Sequence, residues 1–203
     1  MRGAFIAIEG IDGSGKTTQT RRLTLALNSG TSRAISTREP HGSQANIWAR
    51  LDRAAPPQEQ ALWFAHDRIR HARMSIRPAI DAGRHVICDR YVWSSYAYQG
   101  ADGCDPDWLR EINRHAPAPD LTIYLCSPGA AFIDRIEKRE GRTVGAEERG
   151  RLLTVQYHYD ILASHNGPEV VVIDANRDAY TVAAGVLVAV TAFLATFDGG
   201  KPL

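Results

Sequence analysis

The chain of 203 residues has almost no net charge, few cysteines and no long apolar run, and each shortage removes a class of function. Lys plus Arg number 24 against 23 Asp plus Glu, which argues against a general nucleic-acid binder with its strongly basic footprint. The basic residues are instead local, in the stretches Arg68 to Arg77 and Arg135 to Arg151. Three cysteines, Cys88, Cys104 and Cys126, cannot all pair within one chain, and two stand in apolar strand-like runs, so reduced thiols in a cytoplasmic setting are expected. The most apolar stretch, Val182 to Ala195, is interrupted by Thr191 and falls short of the ~18 residues of a membrane span. It reads as a terminal helix packed on a sheet or at a subunit contact, with no membrane partner. Met1-Arg2-Gly3 runs straight into a short strand, with no signal peptide in view. Internal repeats and low-complexity segments are absent, and Asp198 to Leu203 reads as a frayed tail. A single domain over 1–203 is expected, too short for a nucleotide-driven motor with a separate mechanical part.

What is present is sharper. Gly10-Ile11-Asp12-Gly13-Ser14-Gly15-Lys16-Thr17 is a complete GxxxxGK[ST] phosphate-binding loop, followed by Thr18 and preceded by the apolar run Ala4 to Ile8. Its glycines let backbone N–H groups curl around a triphosphate without a Cβ in the way. Lys16 is placed to reach the β and γ phosphates, Thr17 to hold Mg²⁺, and the helix beginning there adds its positive dipole end. The loop therefore predicts ATP binding and leaves the acceptor of the γ-phosphate open.

Short apolar runs at Ala4 to Ile8, Ala34 to Thr37, His85 to Cys88, Leu121 to Cys126 and Glu169 to Ile173 alternate with helical patterns. That order predicts an α/β fold of three layers, a five-stranded parallel sheet with helices on both faces. Ligands of such sheets sit beyond the carboxyl ends of the strands. The glycine loop, Thr37-Arg38-Glu39-Pro40 and Asp89-Arg90-Tyr91 all fall there. Along the helix expected from about Gln58 to Ala82, Leu62, Ala65, Ile69, Ala72, Ile76 and Ile80 make a core stripe. Phe64, Arg68 and His71 share another face, where a ring and a guanidinium suit a planar base; ordinary packing at a dimer contact is the other reading.

Four ordered segments give the chain a resemblance to the thymidylate kinase (dTMP kinase) family: Phe5 to Thr18, Thr37 to Pro40, Leu62 to Arg68 and Asp89 to Gly100. The resemblance runs from Phe5 to about Asp174 and implies a P-loop NTPase-type fold, a homodimer and transfer of the ATP γ-phosphate to dTMP. It implies that Asp12 touches the acceptor sugar, that Phe64 stacks on thymine and that Arg68 bonds a base carbonyl. Arg38, Glu39 and Pro40 lie in the turn beside the acceptor, Arg50 and Arg90 clamp its 5′-phosphate, and Ser95, Tyr98 and Gln99 wall the sugar and base.

A nucleoside monophosphate is largely dianionic near neutral pH, so it attacks without a strong general base. Asp89 is then a magnesium or water positioner, or else a buried carboxylate paired with a loop arginine. Cations aimed at the transferring group do the main work. The loop holds Ser14 and no basic residue between Gly10 and Gly15, so a lid over about 138–148 is expected to supply the cation, from Arg139 or Arg142. The chain departs from the family pattern at His41-Gly42-Ser43, in the lid, and at Gln156, where an arginine is common. A kinase for another or modified pyrimidine nucleotide, a deoxynucleoside kinase using Glu39 as base, and an ATP-bound switch remain alternatives; no NKxD string marks a guanine switch.

Overall fold

The computed structural model describes residues 1–30, 32–42, 55–165, 167 and 169–199. Strands β1 (Phe5–Glu9), β2 (Ala34–Arg38), β3 (His85–Asp89), β4 (Leu121–Cys126) and β5 (Val170–Asp174) form one parallel sheet in the order β2-β3-β1-β4-β5. Each matches its expected run to within one residue at either end. Helices α1 (Lys16–Asn28), α2 (Pro57–His71), α3 (Arg77–Asp81), α4 (Val92–Ala101), α5 (Pro106–Asn113), α6 (Ala131–Glu140), α7 (Ala146–Ser164) and α8 (Ala179–Thr196) surround it.

β1 is the central strand, with Ile6 opposite Ile87 on β3 and Leu121 on β4. All five of its residues are buried, as a parallel strand covered on both faces requires. Ile6 and Ile8 join Leu23 and Leu27 of α1 and Val182, Val186 and Val190 of α8 in one core cluster. Phe5 and Ala7 point the other way, into a cluster with Ile76, Ile80 and Val86. Burying each large aliphatic side chain contributes about 1.5–3 kcal/mol, so this alternation anchors the loop that leaves β1.

Two sequence expectations need correction. The terminal helix α8 has 18 residues and a mean hydropathy of 1.9, so by length and composition it reaches what a membrane span needs. Helical residues on both sides of the apolar run lengthen it. Its inward face is the valine series spaced by four, while Tyr180 and Val188 are exposed. Beyond it, Gly199 of the expected tail is buried beside Met1 and Arg2.

The second correction concerns the helical stretch from Pro57 to Asp81. Leu62 and Ile69 of the expected core stripe are exposed, whereas Arg68 and His71 are buried together with Ala61, Ala65 and Ala72. Between α2 and α3 the chain makes a π-helical turn, Ala72–Ile76. Such a turn absorbs one extra residue, about 100° of α-helical phase. The slip rotates Ile76 and Ile80 into line with the face of Arg68, so the apolar series drawn on one uninterrupted wheel belongs to two faces.

Candidate active site

The site begins where β1 ends. The loop of residues 10–15 turns at Gly13 with φ 81°, and a Cβ there would meet the Phe132 carbonyl oxygen at 2.5 Å, so α6 packs directly against the loop backbone. Gly15, at φ 92°, caps α1. Ile11 is buried in the core while its carbonyl accepts from Lys16 Nζ at 2.9 Å. Lys16 is itself buried, and desolvation with the nearby Arg90 lowers its pKa to about 8. Thr17 Oγ1 donates to Asp89 Oδ2 at 2.5 Å, which joins the loop to the end of β3.

Next to Asp89, Arg90 holds φ 70°, a left-handed conformation that costs a non-glycine residue of order 1–3 kcal/mol and clusters at functional sites. Its backbone N–H donates to Ile8 O at 3.0 Å, and its carbonyl accepts from Cys88 Sγ at 3.0 Å. The turned backbone aims the guanidinium at Asp12, with which it pairs, and over the Tyr98 ring at 5.2 Å. Tyr98 Oη donates to Asp12 Oδ2 at 3.1 Å and accepts from Asp12 N at 3.0 Å. Burial raises the Asp12 pKa, but Arg90 and Lys16 outweigh it and hold the carboxyl well below the usual range.

Glu9, a residue that sequence reasoning left without a role, organises this turn. Its Oε1 accepts from Tyr91 N at 2.9 Å and Ser94 N at 3.2 Å, so it caps α4 from across the sheet. Oε2 accepts from Ser94 Oγ at 2.8 Å and Tyr159 Oη at 3.2 Å. Burial raises its pKa against these bonds. The available signal was its position immediately before Gly10, at the end of a strand.

Two cavities open on this rim. The smaller, about 440 Å³, is lined by Gly13, Gly15 and Lys16 to Thr18, and by Asp89, Arg38, Arg135 and Arg139. The larger, about 700 Å³, has Phe64, Arg68, Ser95, Tyr98 and Gln99 on its walls, with Glu39 and Pro40 at one side. Asp12 and Arg90 line both. The expected acceptor group is thus gathered in one place, except that Arg38 faces the smaller cavity and Arg50 lies outside the described residues.

Arg68 is 2% exposed and held from three directions: Nε donates to Glu39 Oε2 at 2.9 Å, Nη2 to Ser95 Oγ at 3.0 Å, and Nη1 to Asn113 Oδ1. Burial opposes its charge, yet Glu39 and Tyr91 prevail and its pKa rises. Asn113, buried at the end of α5, had no sequence signal, because α5 is remote from every motif. At the rim Arg151, also missed, pairs with Asp102 through Nε at 2.5 Å and lies over Tyr98 at 5.7 Å.

The expected lid is helical at both ends, with 141–145 between them outside any helix. Lys138 and Arg139 lie in the last turn of α6, which ends at Gly141 with φ 65°, and α7 begins at Ala146. A glycine free to adopt the left-handed region stops the helix later than its charge pattern suggested. Arg142 lies outside both cavities, tied to Glu140 at 2.8 Å and Glu148 at 2.6 Å. Arg135, not anticipated, donates to Gly13 O at 3.3 Å, one turn before Arg139 on the same helix face. Gln156 is buried and donates to Tyr124 Oη and Asp160, inside the packing of α7.

Comparison with known proteins bears on all of this. A family model described as Thymidylate kinase matches residues 8–185. The chain is 42% identical over 187 residues to a probable thymidylate kinase of Pyrobaculum calidifontis, covering 90% of this chain and 93% of that protein. It is 37% identical over 202 residues to a thymidylate kinase of Nitrobacter hamburgensis, covering 92% and 87% of the two. A thymidylate kinase of Xanthomonas oryzae is 37% identical over 204 residues, covering 97% of this chain and 88% of its own. This match across most of its length places the chain in the thymidylate kinase family.

Proposed function

We propose that the smaller cavity takes the phosphates of ATP, that the larger takes dTMP, and that the γ-phosphoryl group passes between them to give dTDP and ADP. The activity is that of the family; the observation that supports this assignment of cavities is that both share Asp12 and Arg90. Donor and acceptor phosphates then meet at Arg90, whose charge offsets their repulsion. Asp12 hydrogen-bonds the acceptor sugar, Phe64 stacks on the base, and Arg68 bonds its edge. Lys16 and Arg139, with Arg135 behind them, neutralise the charge that spreads over the transferring group. The acceptor dianion attacks in line, so no residue need act as a strong base.

A hard cation fits the pair formed by the Thr17 hydroxyl and the Asp89 carboxylate, because Mg²⁺ favours oxygen donors and completes its shell with phosphate oxygens and water. Mg²⁺ held by Thr17 and Asp89 would supply positive charge against the phosphates during transfer. Exposed Leu62, Ile69 and Met74, on α2 and the turn after it, suit a homodimer contact. Three free cysteines agree with a reducing cytosol.

The test is initial rates with ATP and Mg²⁺ against dTMP, dUMP, dCMP and thymidine. Turnover is expected with dTMP and not with thymidine. Activity on thymidine alone would overturn the acceptor assignment, and equal ATP consumption with and without acceptor would favour a switch.

A further inference from the structure

A chain of polar contacts leaves Arg68 through Glu39, at one side of the larger cavity, and runs out to the turn after β2. Arg68 Nε donates to Glu39 Oε2, and Glu39 Oε1 lies 3.2 Å from His71 Nδ1. His71 Nε2 is 2.8 Å from Thr37 Oγ1, which is 3.4 Å from His41 Nδ1. His41 Nε2 is 2.9 Å from Ser75 Oγ. The two imidazoles stack, centroids 4.0 Å apart and planes 14° from parallel, and His71 is fully buried.

With both rings neutral, one placement of protons satisfies the whole chain. Glu39 accepts at both oxygens, so His71 Nδ1 carries its hydrogen and, in the neutral ring, Nε2 accepts from the Thr37 hydroxyl. That hydroxyl hydrogen is then committed, so His41 Nδ1 donates to Thr37 Oγ1 and His41 Nε2 accepts from Ser75. Both rings are neutral in this arrangement. Burial and the stacked His71 lower the His41 pKa, against the opposite pull of Asp67 and Glu39, while Arg70 adds to the lowering. Asp67 also accepts from the His41 backbone N–H at 2.8 Å, which fixes the ring's attachment point.

We propose that His71 is a positioning residue for pyrimidine selection: it fixes the Glu39 carboxylate that orients the Arg68 guanidinium, and His41, through Thr37 and the ring stack, steadies the His71 imidazole. A guanidinium reads a planar base edge by direction as much as by charge, so freeing the carboxylate behind it weakens recognition without touching the ATP site. His41 is one of the residues at which the chain departs from the family pattern, so the outer half of this chain of contacts belongs to this sequence. The inference rests on Arg68 reading the base.

The experiment is steady-state kinetics with ATP and either dTMP or dCMP, beside thermal melts. Asparagine at 71 offers a donor near the place of Nδ1, and glutamine one near Nε2. His71→Gln is expected to raise the KM for dTMP about tenfold and narrow the dTMP preference about as much, the scale of one charge-assisted hydrogen bond, with kcat and the ATP KM within about twofold. His71→Asn should stay near wild type. His41→Phe, which keeps the stacked ring and loses the nitrogens, should raise the dTMP KM about threefold; no change there overturns the proposal even if the position-71 variants fail to fold. Equal effects of Asn and Gln, or a lower Tm with no KM-against-kcat split, overturn it as well. Arg68→Ala separates the two layers. If it leaves the dTMP KM and preference unchanged, the base-site reading fails; if it raises the KM and narrows the preference while His71→Gln does neither, only the role of His71 fails. Adding His71→Gln to Arg68→Ala should have no further effect.

Discussion

Lys16 destabilises the protein that carries it, and the size of the effect follows from its surroundings. The ammonium is 5% exposed, and desolvation with the adjacent Arg90 lowers its pKa from 10.5 to about 8, although Asp12, Asp89 and Glu9 pull the other way. At ~1.4 kcal/mol per pH unit, holding the charged lysine there costs about 3 kcal/mol at neutral pH. The unfolded chain keeps the proton until pH 10.5, whereas the folded one releases it near pH 8. Between those values the unfolded state binds more protons, so the folded state gains stability as pH rises. Lys16→Met removes the charge and keeps the length. It should raise the Tm of the ligand-free protein at pH 7 by roughly 6–12 °C for a chain of this size. The gap should close toward pH 10.5, while turnover falls by orders of magnitude because the transferring phosphate loses its cation. Melts of both proteins at pH 7, 9 and 10 read this directly, and taking their difference cancels Tyr98 and Cys88, whose pKa values burial also raises. ATP should stabilise the wild type far more than the variant, since phosphate charge relieves the penalty. A Lys16→Met protein no more stable than wild type at pH 7, or a gap independent of pH, would refute the reasoning.

Two further outcomes follow from the same rim. Arg139→Ala should lower kcat by ~10²-fold or more with little change in either KM, whereas Arg142→Ala, whose pairs with Glu140 and Glu148 are exposed, should stay within about threefold in steady-state assays. Gly13→Ala should lower the Tm and abolish ATP binding, measured by calorimetry, because its Cβ would strike the Phe132 carbonyl at 2.5 Å. Gly15→Ala meets nothing within 4 Å and bears only the strain of its φ of 92°, about 1–2 kcal/mol, so it should melt closer to wild type.

The strands were legible because β-branched and other apolar residues in short runs between helical patterns have few other uses, and the glycine loop because phosphate binding demands that spacing. The wall of the larger cavity was legible in part: Phe64 and Arg68 fall together on any helical wheel. What the wheel could not show is the π-helical turn at Ala72–Ile76, since no residue type in Ala-Arg-Met-Ser-Ile announces it. The wheel therefore puts Leu62 and Ile69 in the core stripe and Arg68 on a separate face, whereas packing buries Arg68 and leaves the other two exposed. A buried arginine is stable only with partners, and those partners, Glu39, Ser95 and Asn113, come from three separate parts of the chain. Glu9 escaped notice for a similar reason. Its ligands are backbone N–H groups 82 and 85 residues away, and a sequence names side chains, not free N–H groups.

The absence of a basic residue between Gly10 and Gly15 sends the search for a catalytic cation elsewhere, and the fold narrows where it can come from. The loop backbone rests on α6, with Gly13 against Phe132 and Ile136. Arg135 donates to the Gly13 carbonyl from that helix, and Arg139 follows one turn later, into the cavity beside Lys16. A cation on this face moves with the phosphate loop, since a shift of α6 would disturb the contact at Gly13. Arg142 lies beyond the helix end at Gly141 and answers to the exposed carboxylates of Glu140 and Glu148 instead. Arg139 therefore stands on the helix that carries the loop contact, and Arg142 on the far side of the helix end at Gly141.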